Sequence, residues 1–257
     1  MPALFVGHGT PMNTLERNVN SRAWRDIAAE LPRPGAILAI SAHWYGPGLA
    51  VTASEQPATL HDFRGFPREL FEFRYPAPGD PALAERVAAL LAPLPVDSDL
   101  EWGLDHGTWS VLAHLFPGAD IPVVHLRLDS TRPTAWHADL ARRLAPLREE
   151  GVLLLGSGNA VHNLRRMDLA SAESTFAWAD RFNTRVREAL LGMDVDALVD
   201  LAAADIPDED ARLAVPTPEH YLPLLYIAAQ WREGEAVRLF NDRIEYGSIG
   251  MLCCRVG

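Results

Sequence analysis

Four short apolar runs along the chain have the hydrophobic pattern of buried β-strands. They are ALFVGHG, GAILAISAHW, IPVVHLRLD and GVLLLGSGN, which begin at residues 3, 35, 121 and 151. Each run is almost continuously apolar and leads into polar or glycine-containing positions, instead of alternating between apolar and polar residues. This pattern is typical of strands that are covered on both faces of a sheet.

Helical spacing, with apolar residues three and four positions apart, occupies the stretches between these runs. It predicts helices over residues 22–31, 81–91, 134–147, 174–191 and 195–203, and a further helix that begins within EHYLPLLYIAAQW (residues 219–231). The C-terminal stretch alternates like strands around a Tyr-Gly turn. With 257 residues and 48% apolar content, the chain can bury one large core. We predict a single α/β domain over residues 1–257, with a central mixed sheet and helices on both faces.

Residues 57–81 interrupt this alternation of strands and helices. The segment is rich in proline, glycine and aromatic residues and contains HDFRGFPRELFEFRYPAPGDP. Long connections of this kind often cover a binding site. We therefore expect an ordered excursion that lies over a functional site.

The charge of the chain limits the partners that it can attract. The formal net charge is −11 and the charges are scattered, so the surface has no overall attraction for nucleic acid or anionic lipid. The sequence contains no lysine. Its absence excludes a P-loop and Schiff-base chemistry, because both need the lysine amine.

Cysteine content and hydropathy place the chain in a broad cellular class. The two cysteines, Cys253 and Cys254, are adjacent and cannot form a disulfide framework, so we expect a buried pair within a strand. There is no basic-plus-apolar signal segment, and no apolar run reaches the ~18 residues that span a bilayer. These features predict a cytoplasmic protein that is not associated with a membrane.

Histidine is the residue type with the most promising chemistry in this chain, and there are nine. Five of them lie in turns or at helix starts beside small or polar residues: His8, His43, His106, His162 and His220. Three others lie within periodic apolar or helical runs, where a structural role is favoured: His114, His125 and His137. His61, in the excursion, fits either group.

Three histidines of the first group follow the ends of predicted strands, where open α/β sheets bind ligands. His8 follows the first strand run, His43 the second, and His162 lies about one turn after the fourth, so we expect His8 to face His43 and His162. Converging neutral imidazoles suit a divalent metal such as Fe(II) or Zn(II), and the spacing does not separate the two. The HExxH pattern of zinc proteases is absent.

Other candidate chemistries near these histidines are weaker or stay open. Asp105 either orients His106 or caps the helix that begins near it. Glu219 is either a metal ligand or a first-turn helix charge. The sequence LGSGN is not a nucleophile elbow, because Leu155 stands two residues before Ser157, where that motif has glycine.

Seven motifs together resemble the class III extradiol ring-cleavage dioxygenases, in the DOPA-4,5-dioxygenase-like branch of the LigB superfamily. They are GHGTPMN, ISAHW, HDFRGFP, YPAPGDP, GLDHGTWSVL, GSGNAVHNL and TPEHYLPLL, which occur in this order between residues 7 and 225. The resemblance covers nearly the whole chain. It implies a mononuclear metal at one end of the central sheet and, as substrates, a small aromatic diol and O2.

The resemblance also implies roles for the five histidines. His8 and His43 are expected as metal ligands and His220 as a further ligand, where protocatechuate-cleaving relatives use a carboxylate. His162 is expected at the metal as a ligand or as the catalytic base. His106 is expected in the substrate pocket, where it or His162 removes a phenolic proton.

Candidate contacts to the aromatic substrate are Trp44, Thr10 and Tyr221. Phe63 and Phe66 of the excursion are further candidates for a wall against the ring. Two rival functions stay open from the sequence, namely a zinc-dependent hydrolase that uses the same histidines and a non-catalytic binding protein on this fold. The expected assembly is a monomer or a small homo-oligomer.

Overall fold

A computed structural model describes residues 1–202 and 207–257 of the chain. Its strands are β1 (Ala3–Gly7), β2 (Ala36–Ser41), β3 (Tyr45–Gly46), β4 (Leu49–Thr52), β5 (Val96–Asp99), β6 (Val123–His125), β7 (Leu128–Asp129), β8 (Val152–Gly158), β9 (Val237–Phe240), β10 (Ile244–Glu245), β11 (Ile249–Gly250) and β12 (Cys253–Val256). Each of the four predicted strand runs contains at least one of these strands.

The helices alternate with the strands along most of the chain. They are α1 (Val19–Glu30), α2 (Arg68–Glu72), α3 (Pro81–Leu91), α4 (His106–Leu115), α5 (Thr134–Arg142), α6 (Pro146–Glu149), α7 (Ala177–Leu191), α8 (Val195–Leu201), α9 (Glu209–Ala214) and α10 (Leu222–Ala228). Short 3₁₀ turns cover Pro11–Thr14 and Leu164–Arg166.

The main sheet has six strands in the order β6-β2-β8-β1-β12-β9. Neighbours from β6 to β1 pair in parallel, whereas β12 pairs antiparallel with both β1 and β9. The carboxyl ends of β1, β2 and β8 therefore meet at one edge, as parallel pairing requires. The predicted α/β fold with a central mixed sheet is confirmed.

Alternate side chains of the central strands pack into two separate cores. On β1, Ala3 and Phe5 contact the core under α5, α7 and α10, and Leu4 and Val6 contact the core under α1 and α4. Successive side chains of a strand point to opposite faces, and both faces of β1 are fully buried. This double burial is the reason why the strand sequences are continuously apolar.

Three predicted helices differ from the structure at their ends. The helix expected over residues 22–31 spans Val19–Glu30. The helix expected over residues 134–147 ends at Arg142, and a separate short helix starts at Pro146, which has no backbone N–H to continue the helical hydrogen bonds. The helix expected from residue 174 starts at Ala177. The last residue of the predicted helix over 195–203 lies outside the described residues.

The excursion over residues 57–81 is ordered and mostly irregular, with α2 as its main helix. Phe63, Phe66 and Phe73 pack from it against the core that lies under α1 and α4. Cys253 and Cys254 are buried free thiols in β12, as predicted. No helix in the described parts of the chain has the length and apolarity to cross a membrane.

Candidate metal centre and substrate cavity

The five histidines predicted from their turn-like settings converge at the carboxyl edge of the sheet. His8 directly follows β1, His43 lies two residues after β2, and His162 follows β8. His106 is the first residue of α4, and His220 precedes α10. Ring centroids of His8 lie 5.0, 5.7 and 5.5 Å from those of His43, His106 and His220.

Glycines on both sides of His8 let the chain turn beneath Met251. A Cβ at Gly7 would lie 2.8 Å from the Met251 carbonyl carbon, and a Cβ at Gly9 would lie 2.6 Å from Met251 Sδ. Gly9 also has a φ of +60°, which disfavours other residues. The GHG sequence is therefore needed to place His8 at the strand tip against the segment that leads into β12.

His8 and His43 present the same ring nitrogen to each other. The two Nε2 atoms lie 3.2 Å apart. Ser157 donates its hydroxyl proton to the Gly107 carbonyl (2.5 Å), so its oxygen accepts from His8 Nδ1 at 3.0 Å. We therefore assign the proton of neutral His8 to Nδ1, which leaves the lone pair on Nε2.

Asp62 fixes the tautomer of His43 in the same way. Its Oδ2 lies 3.2 Å from His43 Nδ1, so the Nδ1 proton faces the carboxylate and the Nε2 lone pair faces His8. Two lone pairs at 3.2 Å require a cation between them, either a proton or a metal ion. The donor set therefore fits a metal on observations that are independent of any family likeness.

His220 completes a group that could hold a metal ion. One ligand atom from each of His8, His43 and His220 lies within 4.8 Å of the others. Glu219 Oε1 is 3.5 Å from His220 Nδ1 and accepts from the Thr217 hydroxyl at 2.7 Å. Glu219 thus contacts the outer nitrogen of His220, which differs from both roles considered for it from the sequence.

Asp62 is the site residue that the sequence analysis missed. The same Oδ2 lies 3.0 Å from His106 Nδ1, and Oδ1 accepts from the His106 backbone N–H at 2.9 Å. His43, Asp62 and His106 also satisfy the spacing of a metal-binding group. Their contacts have hydrogen-bonding distances, however, and the Nδ1 protons that face Asp62 occupy the nitrogens that would have to bind the metal.

Asp105 serves as the N-cap of α4, and this settles one of the open alternatives. Its Oδ1 accepts from the Thr108 backbone N–H at 3.0 Å and from the Ser41 hydroxyl at 2.8 Å. The cap fixes the start of the helix, and therefore the position of His106, through the backbone. The carboxylate that contacts the His106 ring is Asp62.

Burial keeps most of these imidazoles neutral. Burial and the neighbouring imidazoles lower the pKa of His8 well below its ordinary value. The same two causes lower the pKa of His162 to about 2 and the pKa of His220 to about 4, although Glu219 opposes the shift at both. Burial also lowers the pKa of His106, against the opposing effect of Asp62. At His43 the carboxylates outweigh burial, and the net pKa is raised. Metal binding needs the neutral form, which these environments favour at most of the positions.

Burial also acts on the carboxyl group of Asp62. Burial by itself raises the pKa of this group, but hydrogen bonding from His106 and His43 outweighs it and lowers the pKa well below the ordinary value. Asp62 is therefore a carboxylate at neutral pH, which is the form that can accept from two imidazole N–H groups.

A cavity of about 330 Å³ opens onto these histidines. All five line it, and its remaining walls are mainly apolar: Gly9, Thr10, Pro11, Phe63, Phe66, Leu164, Met167, Glu245, Tyr246 and Ile249. Thr10, Phe63 and Phe66 thus lie where the sequence analysis expected substrate contacts. The excursion supplies the two phenylalanines and covers one side of the site.

Two expected substrate contacts, Trp44 and Tyr221, do not line this cavity. Trp44 is buried and stacks on Trp102, with ring centroids 5.4 Å apart. Tyr221 is fully buried and donates its hydroxyl to the Leu198 carbonyl at 2.9 Å. Each follows a site histidine directly, and the adjacent side chain points into the core instead of the cavity.

His162 contacts His220 through the faces of the two rings. Their centroids lie 3.5 Å apart with an interplanar angle of 9°. His162 is also held through its backbone, since its N–H donates to the Ala214 carbonyl at 2.8 Å. It belongs to neither of the two groups that could hold a metal ion. A position beside the centre, at the cavity wall, suits contact with a bound ligand.

The histidines predicted to be structural lie away from this cavity. His137 contacts the Tyr226 hydroxyl at 3.0 Å and the Asp129 carbonyl at 3.1 Å. His114 contacts the Asn13 carbonyl at 2.8 Å, and His125 is fully buried. His61, which fitted either group, contacts the Phe73 carbonyl at 3.1 Å. These environments support structural roles for all four residues.

Comparisons with known proteins agree on one family. The family described as "Catalytic LigB subunit of aromatic ring-opening dioxygenase" matches residues 2–235. A protein of Escherichia coli strain K12 named 4,5-DOPA dioxygenase extradiol is 48% identical over 261 residues, which cover 100% of this chain and 95% of that protein. A Beta vulgaris protein of the same name is 37% identical, with 95% and 91% coverage.

A crystal structure of an uncharacterized protein from Escherichia coli K12 has a closely similar fold. It superposes with a TM-score of 0.87 at 46% sequence identity, and the match covers 100% of both chains. The family match, the named relatives and the cluster of histidines at the carboxyl edge of the sheet all point to the same chemistry. The chain belongs to the LigB family of aromatic ring-opening dioxygenases, as an extradiol ring-cleaving member.

Proposed function

We propose that this enzyme is an Fe(II)-dependent extradiol dioxygenase that opens the ring of a DOPA-like catechol with O2. The observation that carries the proposal is the group of three ligand atoms from His8, His43 and His220, within 4.8 Å of one another beside a largely apolar cavity. Relatives of this chain carry the name 4,5-DOPA dioxygenase extradiol, which supports a catechol with an amino-acid side chain.

His8, His43 and His220 would hold the metal ion through nitrogen atoms. A ferrous ion held there would supply coordination sites for the diol and the electron transfer that activates O2. Ser157 and Asp62 hold the outer nitrogens of two ligands, and Glu219 lies near the third. Such partners orient the rings and raise their basicity.

Two histidines, His106 and His162, are the candidates for proton transfer. Asp62 faces His106 Nδ1, so the lone pair of neutral His106 is on Nε2, where it can accept a phenolic proton. His162 is held neutral by burial and lies beside His220 at the cavity wall. We assign His106 and His162 to proton transfer with the diol and the opened product.

The apolar wall holds the aromatic ring of the substrate. Phe63 and Phe66 lie with ring centroids 5.2 Å apart at an angle of 80°, and Phe63 meets His106 edge-on at 5.5 Å. Met167 and Ile249 line the same space. These side chains exclude water from the ring and orient the diol toward the histidines.

Metal content and oxygen uptake test the proposal together. We expect freshly Fe(II)-loaded enzyme to consume O2 with a DOPA-like catechol and to form a yellow ring-opened product. His8→Ala and His43→Ala should lose metal, whereas His106→Ala and His162→Ala should keep it and lose about 10²- to 10⁴-fold in turnover. Full metal in His8→Ala or His43→Ala would refute the ligand assignment.

The same experiment distinguishes the rival functions. Anaerobic ester or amide hydrolysis by Zn(II)-loaded protein, without O2 uptake on any catechol, would favour a zinc hydrolase. Metal binding without turnover of either kind would favour a binding protein.

The two buried free thiols suit a reducing compartment, so we place the enzyme in the cytoplasm. We propose that it acts there as a monomer or small homo-oligomer without nucleic-acid or membrane partners.

A further inference from the structure

One carboxylate lines the substrate cavity among the residues that the structure describes, and no arginine of that part of the chain does. This carboxylate belongs to Glu245, at the end of β10. Its side chain is 14% exposed, so the charge lies in a largely buried position. The walls around it are mainly apolar, which strengthens any electrostatic interaction made there.

The backbone holds Glu245 firmly in place. Glu245 pairs with Ile249 in the β10–β11 ladder, and Ser248 donates its backbone N–H to the Glu245 carbonyl at 3.2 Å. The turn between β10 and β11 contains Tyr246, which has a φ of +50°. The Tyr246 carbonyl accepts a hydrogen bond from the Asp168 backbone N–H at 2.8 Å. A fixed position suits recognition of a specific substituent.

One oxygen of Glu245 is occupied and the other is available. Oε1 accepts from Asn20 Nδ2 at 2.9 Å, and Asn20 is itself buried and neutral. Arg243 Nε lies 3.5 Å from the same Oε1, so the charge of this arginine is on the side that is already engaged. Oε2 has no hydrogen-bond partner within residues 1–202 and 207–257. The carboxylate of this cavity-lining residue therefore keeps acceptor capacity.

We propose that Glu245 binds the ammonium group of the substrate and so selects catechols that carry an amine on their side chain. The inference rests on the proposed function, because the same cavity must bind the diol. An ammonium group gains a charge-assisted hydrogen bond at Oε2. A substituent that is only a carboxylate faces like charge there, and no lining arginine in the described part of the chain compensates for it.

Four catechols that share the dihydroxyphenyl ring separate the contributions of the ammonium and the carboxylate group on the side chain. Dopamine carries only the ammonium, DOPA carries both charges, 3,4-dihydroxyphenylpropionate carries only the carboxylate, and 4-methylcatechol is neutral. We expect kcat/KM of the wild-type enzyme to be highest for dopamine and DOPA and lowest for dihydroxyphenylpropionate. Turnover of 4-methylcatechol reports ring opening without any contribution from the proposed subsite.

Glu245→Gln is the test variant, since its amide oxygen can still accept from Asn20. The ratio of kcat/KM for dopamine to that for 4-methylcatechol should fall about 10- to 100-fold, because one hydrogen bond to a charged group is lost. The ratio for dihydroxyphenylpropionate to 4-methylcatechol should rise. Glu233→Gln makes the same chemical change at an exposed position and should leave both ratios as in the wild type.

Binding measurements keep the inference separate from the activity. Calorimetric titration of Zn(II)-loaded protein with dopamine should show the same 10- to 100-fold weakening in Glu245→Gln. Equal binding of dopamine by wild type and Glu245→Gln, or a wild-type preference for dihydroxyphenylpropionate, would overturn the ammonium subsite. Failure to open any of the four catechols would overturn the proposed function instead, and the calorimetry would still decide on Glu245.

Discussion

Replacing Asp62 by asparagine tests how far the metal centre depends on one carboxylate outside the ligand set. Asp62 lies within 3.2 Å of the Nδ1 atoms of both His43 and His106, and its other oxygen accepts from a backbone N–H. Asparagine has almost the same shape but only one acceptor oxygen. Whichever way the amide turns, its NH2 group faces a donor that the carboxylate had satisfied.

The expected magnitude follows from the contacts that are lost. A hydrogen bond to a charged group is worth about 1.5–3 kcal/mol, and the asparagine forfeits at least one of the three at Asp62. If the whole loss falls on His43, metal affinity drops about 10- to 150-fold, at about 1.4 kcal/mol for each factor of ten. Outer partners of metal ligands in general carry effects of about 10- to 100-fold.

The assay is competition for Zn(II) between the protein and a chelator of known affinity, followed by oxygen uptake at saturating Fe(II). Asp62→Asn should bind the metal more weakly and, through His106, should also lose kcat when the metal is saturating. Asp97→Asn is the matched control, because Asp97 is 80% exposed and its nearest cation, Arg127, is 3.8 Å away. Wild-type metal affinity together with wild-type kcat in Asp62→Asn would refute the reasoning.

Two further predictions concern packing and pH. Gly158→Ala would place a Cβ 2.1 Å from the His220 carbonyl oxygen, and we expect it to displace His220 and weaken metal binding. Gly35→Ala is the control, because the nearest atom to its Cβ would be 3.9 Å away. Chelator competition should show weaker metal binding in the first variant and not in the second. Partial burial raises the pKa of Glu235, but its hydrogen bonds from buried Arg148 outweigh this and lower the pKa below the ordinary value of 4.5. The pair thus stabilises the fold above about pH 4.5, and this stabilisation is lost as the pH falls through the lowered pKa. Glu235→Gln should therefore cost about 2 kcal/mol in urea unfolding at pH 7, because hydrogen bonding between two charged groups is lost. A cost that persists in full at pH 3 would contradict this assignment.

The strand-end histidines could be predicted because two patterns coincide. One is the apolar runs that predict strands, and the other is the histidines that follow these runs. Continuous apolar runs identify buried parallel strands, and such strands end at a common edge, so His8 and His43 had to be near each other once both runs were strands of one sheet. His220 was harder to place from periodicity, because it lies in an irregular turn before α10. Its assignment rested on the motif resemblance.

Asp62 and Glu245 could not be predicted by the same reasoning. Asp62 lies in the irregular excursion, where no periodicity fixes the direction of a side chain. Its place in HDFRGFP, one of the motifs behind the family resemblance, was the available signal. Glu245 reaches the cavity only because the β10–β11 hairpin folds back over the carboxyl edge of the sheet, and this depends on tertiary contacts between residues far apart in sequence.

The wrong expectations for Tyr221 and Trp44 have a common cause. Both are aromatic residues directly after a site histidine, and proximity in sequence to that histidine does not fix proximity to the substrate. Neighbouring side chains generally point in different directions, and large aromatic residues at such positions fill the core. The aromatic wall of the cavity comes from Phe63 and Phe66, the two other candidates, which lie far from any histidine-bearing strand in the sequence.

The wide separation of His8, His43 and His220 along the chain has a consequence for the lifetime of the protein. A metal ion that binds all three joins the first strand, the second strand and the C-terminal third of the chain, and the unfolded polypeptide has no equivalent site. At a free concentration 100 times the dissociation constant, such an ion adds about 2.7 kcal/mol to folding stability. Thermal melts should therefore shift downward when a chelator is present, and a cell short of the metal would hold a pool of this enzyme that is both idle and more easily degraded by proteases.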